Sequence, residues 1–205
     1  DNKQMNVQTD VPKVSIIMLN WNSYEDTSEC LESLSEVKYK NFSIIIVDNN
    51  STDDSLSKLK SNFTEPTYIE NDSNYGFAKG NNIGMKYAMS NGAEYVLLLN
   101  NDTTVSPDFL DYFVDTHENN QLCGITTGKI YDYADRTDVW YSGGSLSNWT
   151  FEVNYCHDDS QTKEKVTDIP GCLMLISSDV LNEVGLLNED YFMYSEDSEF
   201  CYRVN

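Results

Sequence analysis

Apolar residues along the chain fall into short blocks that alternate with helical patterns. Val14-Ser15-Ile16-Ile17-Met18-Leu19 is a near-continuous apolar run, the signature of a strand buried on both faces. Asn20 to Ser23 supplies turn and cap chemistry, and Tyr24 to Val37 then places Cys30, Leu31, Leu34 and Val37 at helical spacing. A second run, Phe42 to Val47, ends at Asp48 and is followed by the turn Asn49 to Thr52. Asp53 and Asp54 suit the positive end of a helix that carries Leu56 and Leu59. A short strand is expected around Thr67-Tyr68-Ile69, a helix from Gly76 to Asn91 closed by Gly92, and a fourth buried strand at Tyr95 to Leu99. This rhythm is that of a parallel α/β sheet with crossover helices.

Beyond Asp102 the rhythm changes. Ser106-Pro107 reads as a cap and first helical position for a helix through Phe109, Leu110 and Phe113. Residues 124–166 are less regular, with turns and short strands around Trp140, Gly143, Gly144 and Trp149, and residues 156–165 read as an exposed loop. Ile169 to Ile176 returns to strand, Ser178 to Val184 is a short helix stopped by Gly185, and a last helix starts at Ser195. That helix is still in pattern at Asn205, so the expectation is a longer natural domain. Residues 12–205 read as one domain, with a first half at 12–104, a second at 105–205, and residues 1–11 as a polar extension.

Composition narrows the function classes. The 205 residues carry 13 Lys and Arg against 34 Asp and Glu, a formal charge of −21. A surface this acidic repels a polyphosphate backbone and argues against nucleic-acid binding. A small anionic ligand then needs a divalent cation or helix N-termini. No apolar run approaches the roughly 20 residues of a membrane-spanning helix, and residues 1–10 lack the layout of a signal peptide. The five cysteines are widely spaced with no C-x-x-C pair, which implies reduced thiols, a cytoplasmic location and no zinc site.

In an open parallel sheet, ligands gather at the C-terminal ends of the strands. Those ends read Asn20-Trp21-Asn22, Asp48-Asn49-Asn50, Asn71 to Asn74, and Asn100-Asn101-Asp102. Turn chemistry accounts for any one of them; four together mark a polar ligand edge. There is no G-x-x-x-x-G-K-[ST] and no G-x-G-x-x-G after the first strand. A calcium loop at Asp48 to Leu59 fails because Asp53 stands where glycine is required and Leu59 where the bidentate Glu is required. Gly76, Gly80 and Gly84 recur every four residues, which serves either close helix packing or room for a diphosphate or sugar. Asp102, beside two amides, suits Mg²⁺ or Mn²⁺ held jointly with a substrate diphosphate. Glu196 and Asp197 occupy the first turn of the last helix, where they complement the helix dipole. The preceding Tyr191, Phe192 and Tyr194 suit a sugar-binding cleft, and Glu199 with Arg203 reads as a surface ion pair.

The ordered set of motifs resembles a family 2 inverting glycosyltransferase of GT-A fold, nearest the rhamnosyltransferase-like branch that carries N-N-D in place of D-x-D. The stretches that carry the resemblance are V-S-I-I-M-L-N-W-N (14–22), I-V-D-N-N-S-T-D-D-S (46–55) and N-Y-G-F-A-K-G-N-N-I-G (74–84). They continue with L-L-L-N-N-D-T (97–103), G-C-L-M-L-I (171–176) and G-L-L-N-E-D-Y-F-M-Y-S-E-D-S-E-F-C-Y-R (185–203). The resemblance implies that Asp48 bonds the imide of a uracil or thymine base and that Asn20, Asn22 and Asn50 line the base and ribose pocket. It places Asn74, Gly76 and Gly80 near base and diphosphate, and Asp102, with Asn100 or Asn101, at the metal. Asp197 matches the general base and Glu196 its structural or acceptor-orienting neighbour. His117 and His157 do not match the family's metal-binding histidine.

The implied activity is transfer of a sugar, rhamnose as first guess, from a UDP- or dTDP-sugar to a glycan or lipid-linked acceptor, by a metal-assisted inverting displacement. Peripheral membrane association would come through sequence beyond residue 205. Two rivals are a non-catalytic nucleotide-sugar-binding module and a sugar nucleotidyltransferase; the second lacks a glycine- and basic-rich loop near the first strand.

Overall fold

The computed structural model describes residues 11–120, 122–147, 149–150, 152–158, 160 and 165–205. The polar extension at 1–10 and positions 159 and 161–164 of the expected 156–165 loop lie outside the described residues. In chain order the first half comprises β1 (Val14–Asn20), α1 (Tyr24–Ser35), β2 (Phe42–Asp48), α2 (Ser55–Asn62), β3 (Thr67–Glu70), α3 (Gly76–Ser90) and β4 (Tyr95–Leu99). The second comprises α4 (Phe109–Glu118), β5 (Ile125–Thr126), β6 (Ile130–Tyr131), β7 (Val139–Tyr141), β8 (Gly144–Leu146), β9 (Val153–Tyr155), β10 (Leu173–Ser177), α5 (Ser178–Val184) and α6 (Glu196–Val204).

Six strands form the central sheet in the order β3-β2-β1-β4-β10-β5. β1, β2, β3 and β4 pair in parallel, while β10 runs antiparallel to both β4 and β5. The sheet is therefore mainly parallel with a reversed flank. β6–β7 and β8–β9 are separate two-stranded hairpins.

Alternation along the strands feeds two cores, one on each face. Val14, Ile16, Met18, Leu97 and Leu99 pack with Cys30, Leu31 and Leu34 of α1, Leu59 of α2 and Phe109, Leu110 and Phe113 of α4. Ile17, Val47, Val96, Leu98, Met174 and Ile176 pack with Ala78, Met85 and Ala88 of α3, Leu181 of α5 and Phe200 of α6. Burying each large apolar side chain contributes on the order of 1.5–3 kcal/mol, so the three-layer order follows directly from the strand pattern.

Three local expectations change. α4 starts at Phe109 and not at Pro107, because the Phe109 amide turns back to the Ser106 carbonyl and the Pro107 carbonyl accepts from Lys38 N at 2.9 Å. β10 starts at Leu173, since Pro170 and Gly171 form a turn closed by Leu173 N to Pro170 O. Arg203 does more than pair with Glu199. Its guanidinium meets both Glu199 oxygens at 2.8 and 3.0 Å and also donates to the Val184 and Leu186 carbonyls, which ties α6 to the segment leaving α5.

Candidate active site

Parallel register aligns the ends of β1 and β2, so Asn20 faces Asp48 across the ladder. Asn20 is fully buried. Its Nδ2 donates to Asp48 Oδ1 at 2.7 Å and reaches the Ser51 and Ser55 hydroxyls, while its Oδ1 accepts from Thr27 Oγ1 at 3.0 Å. Thr27 in turn accepts from Asn101 Nδ2 at 2.8 Å. One chain of hydrogen bonds thus joins β2, β1, α1 and the turn after β4. Thr27 and Ser55 are additions to the expected site; the signal for Thr27 is a hydroxyl lying among Cys30, Leu31 and Leu34 on the buried face of α1.

Asp48 is 2% exposed, and its two oxygens accept from Asn20 Nδ2, Ser51 N and Ser51 Oγ. A carboxylate held in this way shapes the Asn50–Ser51 turn from beneath. Asn50 and Asn22 both adopt the left-handed region, at φ 62° and 52°, and both are exposed. Asn22 Oδ1 accepts from the amides of Thr52 and Asp53, so the two loops are laced together.

Asn74 is half-buried and its Oδ1 caps Gly76 N at 2.9 Å. Gly76 (φ 73°) lies against the Phe192 backbone: a Cβ there would come within 2.2 Å of the Phe192 carbonyl oxygen. At Gly80 a Cβ would meet Leu19 Cδ2 at 2.9 Å and Asn49 at 3.1 Å, and at Gly84 it would meet Ile17 Cγ2 at 2.6 Å. Protein atoms fill the space these glycines leave. Of the two roles open to them, close packing of α3 on the sheet is the one observed.

β4 is wholly buried and delivers Asn100, Asn101 and an exposed Asp102 at its end. The Asn100 amide donates to the Cys172 carbonyl at 3.0 Å. One residue earlier, the Gly171 amide donates to Asp197 Oδ2 at 3.0 Å, and Ser198 N donates to Asp197 Oδ1 at 2.8 Å. The Gly171–Cys172 step therefore links the Asp102 turn to the first turn of α6. Burial first, then the charges of Asp102 and of Asp197, push the Cys172 thiol up to about 12. Neither Asp102 nor Asp197 is sealed beneath packed side chains.

Glu196 points inward. It is 4% exposed, burial raises its pKa, and its Oε2 has no hydrogen-bond partner among the described residues. Tyr194 and Ser195 precede it with φ of 74° and 70°, an uncommon left-handed pair that bends the chain into α6. Phe192 and Tyr194 are exposed, and Tyr191 is half-buried.

Among the described residues, no group of three or more His, Cys, Asp or Glu side chains could hold a metal ion alone. The donor set at Asp102, one exposed carboxylate beside two amides, is of the oxygen type that suits Mg²⁺ or Mn²⁺ once a diphosphate completes the shell. Asp102 lines a cavity of about 240 Å³ with Asp26, Glu29, Thr103, Thr104 and Tyr133. A larger cavity of about 720 Å³ lies between α4 and β5–β7, walled by Phe109, Phe113, Tyr141 and Ile169. It contains neither Asp102 nor Asp197.

Comparison with known proteins agrees with this architecture. The family model described as glycosyl transferase family 2 matches residues 15–185. The low-salt glycan biosynthesis hexosyltransferase Agl10 of Haloferax volcanii is 29% identical over 203 residues, 96% of this chain and 63% of that protein. The dTDP-rhamnosyl transferase RfbF of Shigella flexneri is 25% identical over 174 residues, 83% of this chain and 56% of that protein. The chain thus spans roughly 56–63% of the length of these relatives. Among solved structures, the mannosyltransferase PcManGT of Pyrobaculum calidifontis, in complex with GDP-Man and Mn²⁺, superposes with a TM-score of 0.70 at 17% identity. The match covers 96% of this chain and 52% of that one.

Proposed function

The chain belongs to glycosyl transferase family 2, and on that premise we propose that it moves a sugar from a UDP- or dTDP-sugar to a hydroxyl of a glycan or lipid-linked acceptor. Rhamnose is the first donor sugar to test, in line with the name of the Shigella flexneri relative. The observation that supports the reading is the pair of backbone bonds at the Gly171–Cys172 step, Asn100 N to Cys172 O and Gly171 N to Asp197, which join the turn bearing Asp102 to the turn bearing Asp197.

The donor lies over the strand ends. Asn20 and Asp48 hold the loops bearing Asn22 and Asn50 around the base and ribose, and Asn74 with the start of α3 borders the diphosphate. Asn100 and Asp102 approach the diphosphate and would hold a divalent cation there. When bound, that cation supplies Lewis-acid stabilisation of the departing nucleoside diphosphate. Asp197 accepts the proton of the acceptor hydroxyl as its oxygen forms a bond to the anomeric carbon and the bond to the diphosphate oxygen breaks. A single displacement of this kind inverts the configuration. Asp197 acts through position, with its carboxylate steadied by the amides of Gly171 and Ser198. Glu196, buried and raised in pKa, supports the turn. The exposed rings of Phe192 and Tyr194 offer faces to a sugar. The reaction is assigned to the cytoplasm, at its membrane face when the acceptor is lipid-linked.

The test is a transfer assay on the intact protein with UDP- and dTDP-sugars and Mn²⁺. Asp197→Asn and Asp102→Asn should each lose roughly 10²-fold or more in kcat while keeping the fold. Full activity in either variant overturns the site. Nucleotide binding without turnover in the unaltered protein supports the non-catalytic module instead.

A further inference from the structure

Asp168 lies outside every motif used above, yet it is 0% exposed, and neither of its carboxyl oxygens has a hydrogen-bond partner among the described residues. Its backbone is pinned. The Asp168 carbonyl accepts from the Tyr141 hydroxyl at 2.8 Å, and the residue bridges to Gly144, where a Cβ would come within 2.4 Å of that carbonyl. The chain then runs three residues to Gly171, which donates to Asp197. The titratable groups around Asp168 are Tyr141 of β7, Tyr155 of β9, and Asp197 and Cys201 of α6; Glu196 faces Asp197 from the same turn. No cation is among them. Ser198 and Tyr155 come near enough to pull its pKa down in part, but neither reaches hydrogen-bonding geometry.

A buried carboxylate beside a second acid, with no cation near it among the described residues and only Ser198 and Tyr155 as donors close by, is far costlier than a buried carboxylic acid. Burial is the main cause that raises the Asp168 pKa, with the charge of Asp197 adding to it. As an acid the group has an O–H to offer toward Ser198, whose amide already holds Asp197.

We propose that Asp168 is a positioning residue for Asp197, supporting the first turn of α6 from beneath as the uncharged acid so that the Asp197 carboxylate stays on the amides of Gly171 and Ser198. The proposal rests on the transferase reading for its consequence in catalysis, while its structural part stands apart from it.

The test compares Asp168→Asn, a neutral isostere, with Asp168→Leu, an apolar one, in the intact protein. An acid whose folded-state pKa is raised stabilises fully below the unfolded value of about 3.9 and loses that contribution as pH rises through the folded value. The melting temperature of the parent should therefore fall relative to Asp168→Asn as pH rises from about 4. Parallel curves overturn the proposal. The Gly171 amide resonance reports on Asp197 directly and needs no activity. It should stay in place in Asp168→Asn and move in Asp168→Leu; an unmoved resonance in Asp168→Leu overturns the proposal. With a donor that the parent turns over, Asp168→Asn should keep kcat within about threefold. Asp168→Leu should lose about tenfold or more in kcat with donor KM unchanged. Equal activity of the two variants reduces Asp168 to packing and overturns the positioning role. An inactive parent that still shows the melting and resonance effects contradicts the transferase reading and leaves Asp168 in its place.

Discussion

Gly171 donates its amide to Oδ2 of Asp197 at 3.0 Å, across 26 positions of sequence. Three residues after the buried Asp168 and one before the Cys172 that accepts from Asn100, this glycine joins the turn after β4 to the first turn of α6. A Cβ at Gly171 would sit 3.1 Å from the Phe77 ring and 3.4 Å from Asp197 Cβ. Gly171→Ala should therefore fold, at a cost of about 1 kcal/mol, but tilt Asp197. The expected outcome is a several-fold loss in kcat with little change in melting temperature, read by steady-state transfer and thermal unfolding.

The Asn20 network predicts a stability effect. Asn20→Ala removes one of the donors to the buried Asp48 carboxylate and an acceptor of the buried Thr27 hydroxyl and should cost about 3 kcal/mol. For a chain of this size that lowers the melting temperature by about 6–12 °C. Thr27→Val keeps the volume and removes the hydroxyl that bonds Asn20, Ser23 and Asn101 while leaving the Asn20–Asp48 contact in place, so it should cost less, about 1–2 kcal/mol. Chemical denaturation of both variants checks the order.

Gly84→Ala tests the packing role of the α3 glycines. The new methyl would lie 2.6 Å from Ile17 Cγ2 and 3.1 Å from Val47 Cγ2, both on short branched side chains in a central strand. Overpacking of about 1–3 kcal/mol outweighs a helix-propensity gain of about 1 kcal/mol. Net destabilisation is expected, together with a weakened donor interaction, because α3 starts at Gly76, whose amide Asn74 holds. A melting temperature above that of the parent contradicts the packing role.

His117 supplies a pH prediction. Its ring is buried on α4, and burial lowers its pKa, with the Leu175 and Cys123 backbones partly opposing. The unfolded chain therefore takes up a proton before the native one does. Its contribution to stability is present above about pH 6.5 and declines as pH falls below it. His117→Gln should flatten that acid limb, opposite in sign to the effect of Asp168; urea titrations from about pH 5 to about pH 8 measure both.

Much of the fold was legible in the linear pattern. Continuous apolar runs at Val14 to Leu19 and Tyr95 to Leu99 announce buried central strands, and the helical stripe of Cys30, Leu31 and Leu34 announces α1. The reversed direction of β10 was not legible, since an apolar run carries no orientation. At the site, the acids stand out because they end apolar runs or open a helix. Thr27 shows only as a hydroxyl on the apolar face of α1, and Ser55 and Asp168 do not stand out: each looks like an ordinary polar residue until tertiary closure buries it. The glycine spacing in α3 fits two roles in sequence, and only the position of Ile17 and Leu19 beneath it separates them. Asp48 shows the converse, a residue legible by motif whose bonds to Asn20 and Ser51 were not.

The most direct measurement is a crystal structure of the protein with dTDP or UDP and Mn²⁺. The account predicts the cation between the Asp102 carboxylate and the diphosphate, the base between the Asn20–Asn22 and Asn49–Thr52 loops, and the Asp197 carboxylate facing the open end of the diphosphate. A nucleotide seated instead in the cavity between α4 and β5–β7, with Asp102 and Asp197 away from it, would contradict it.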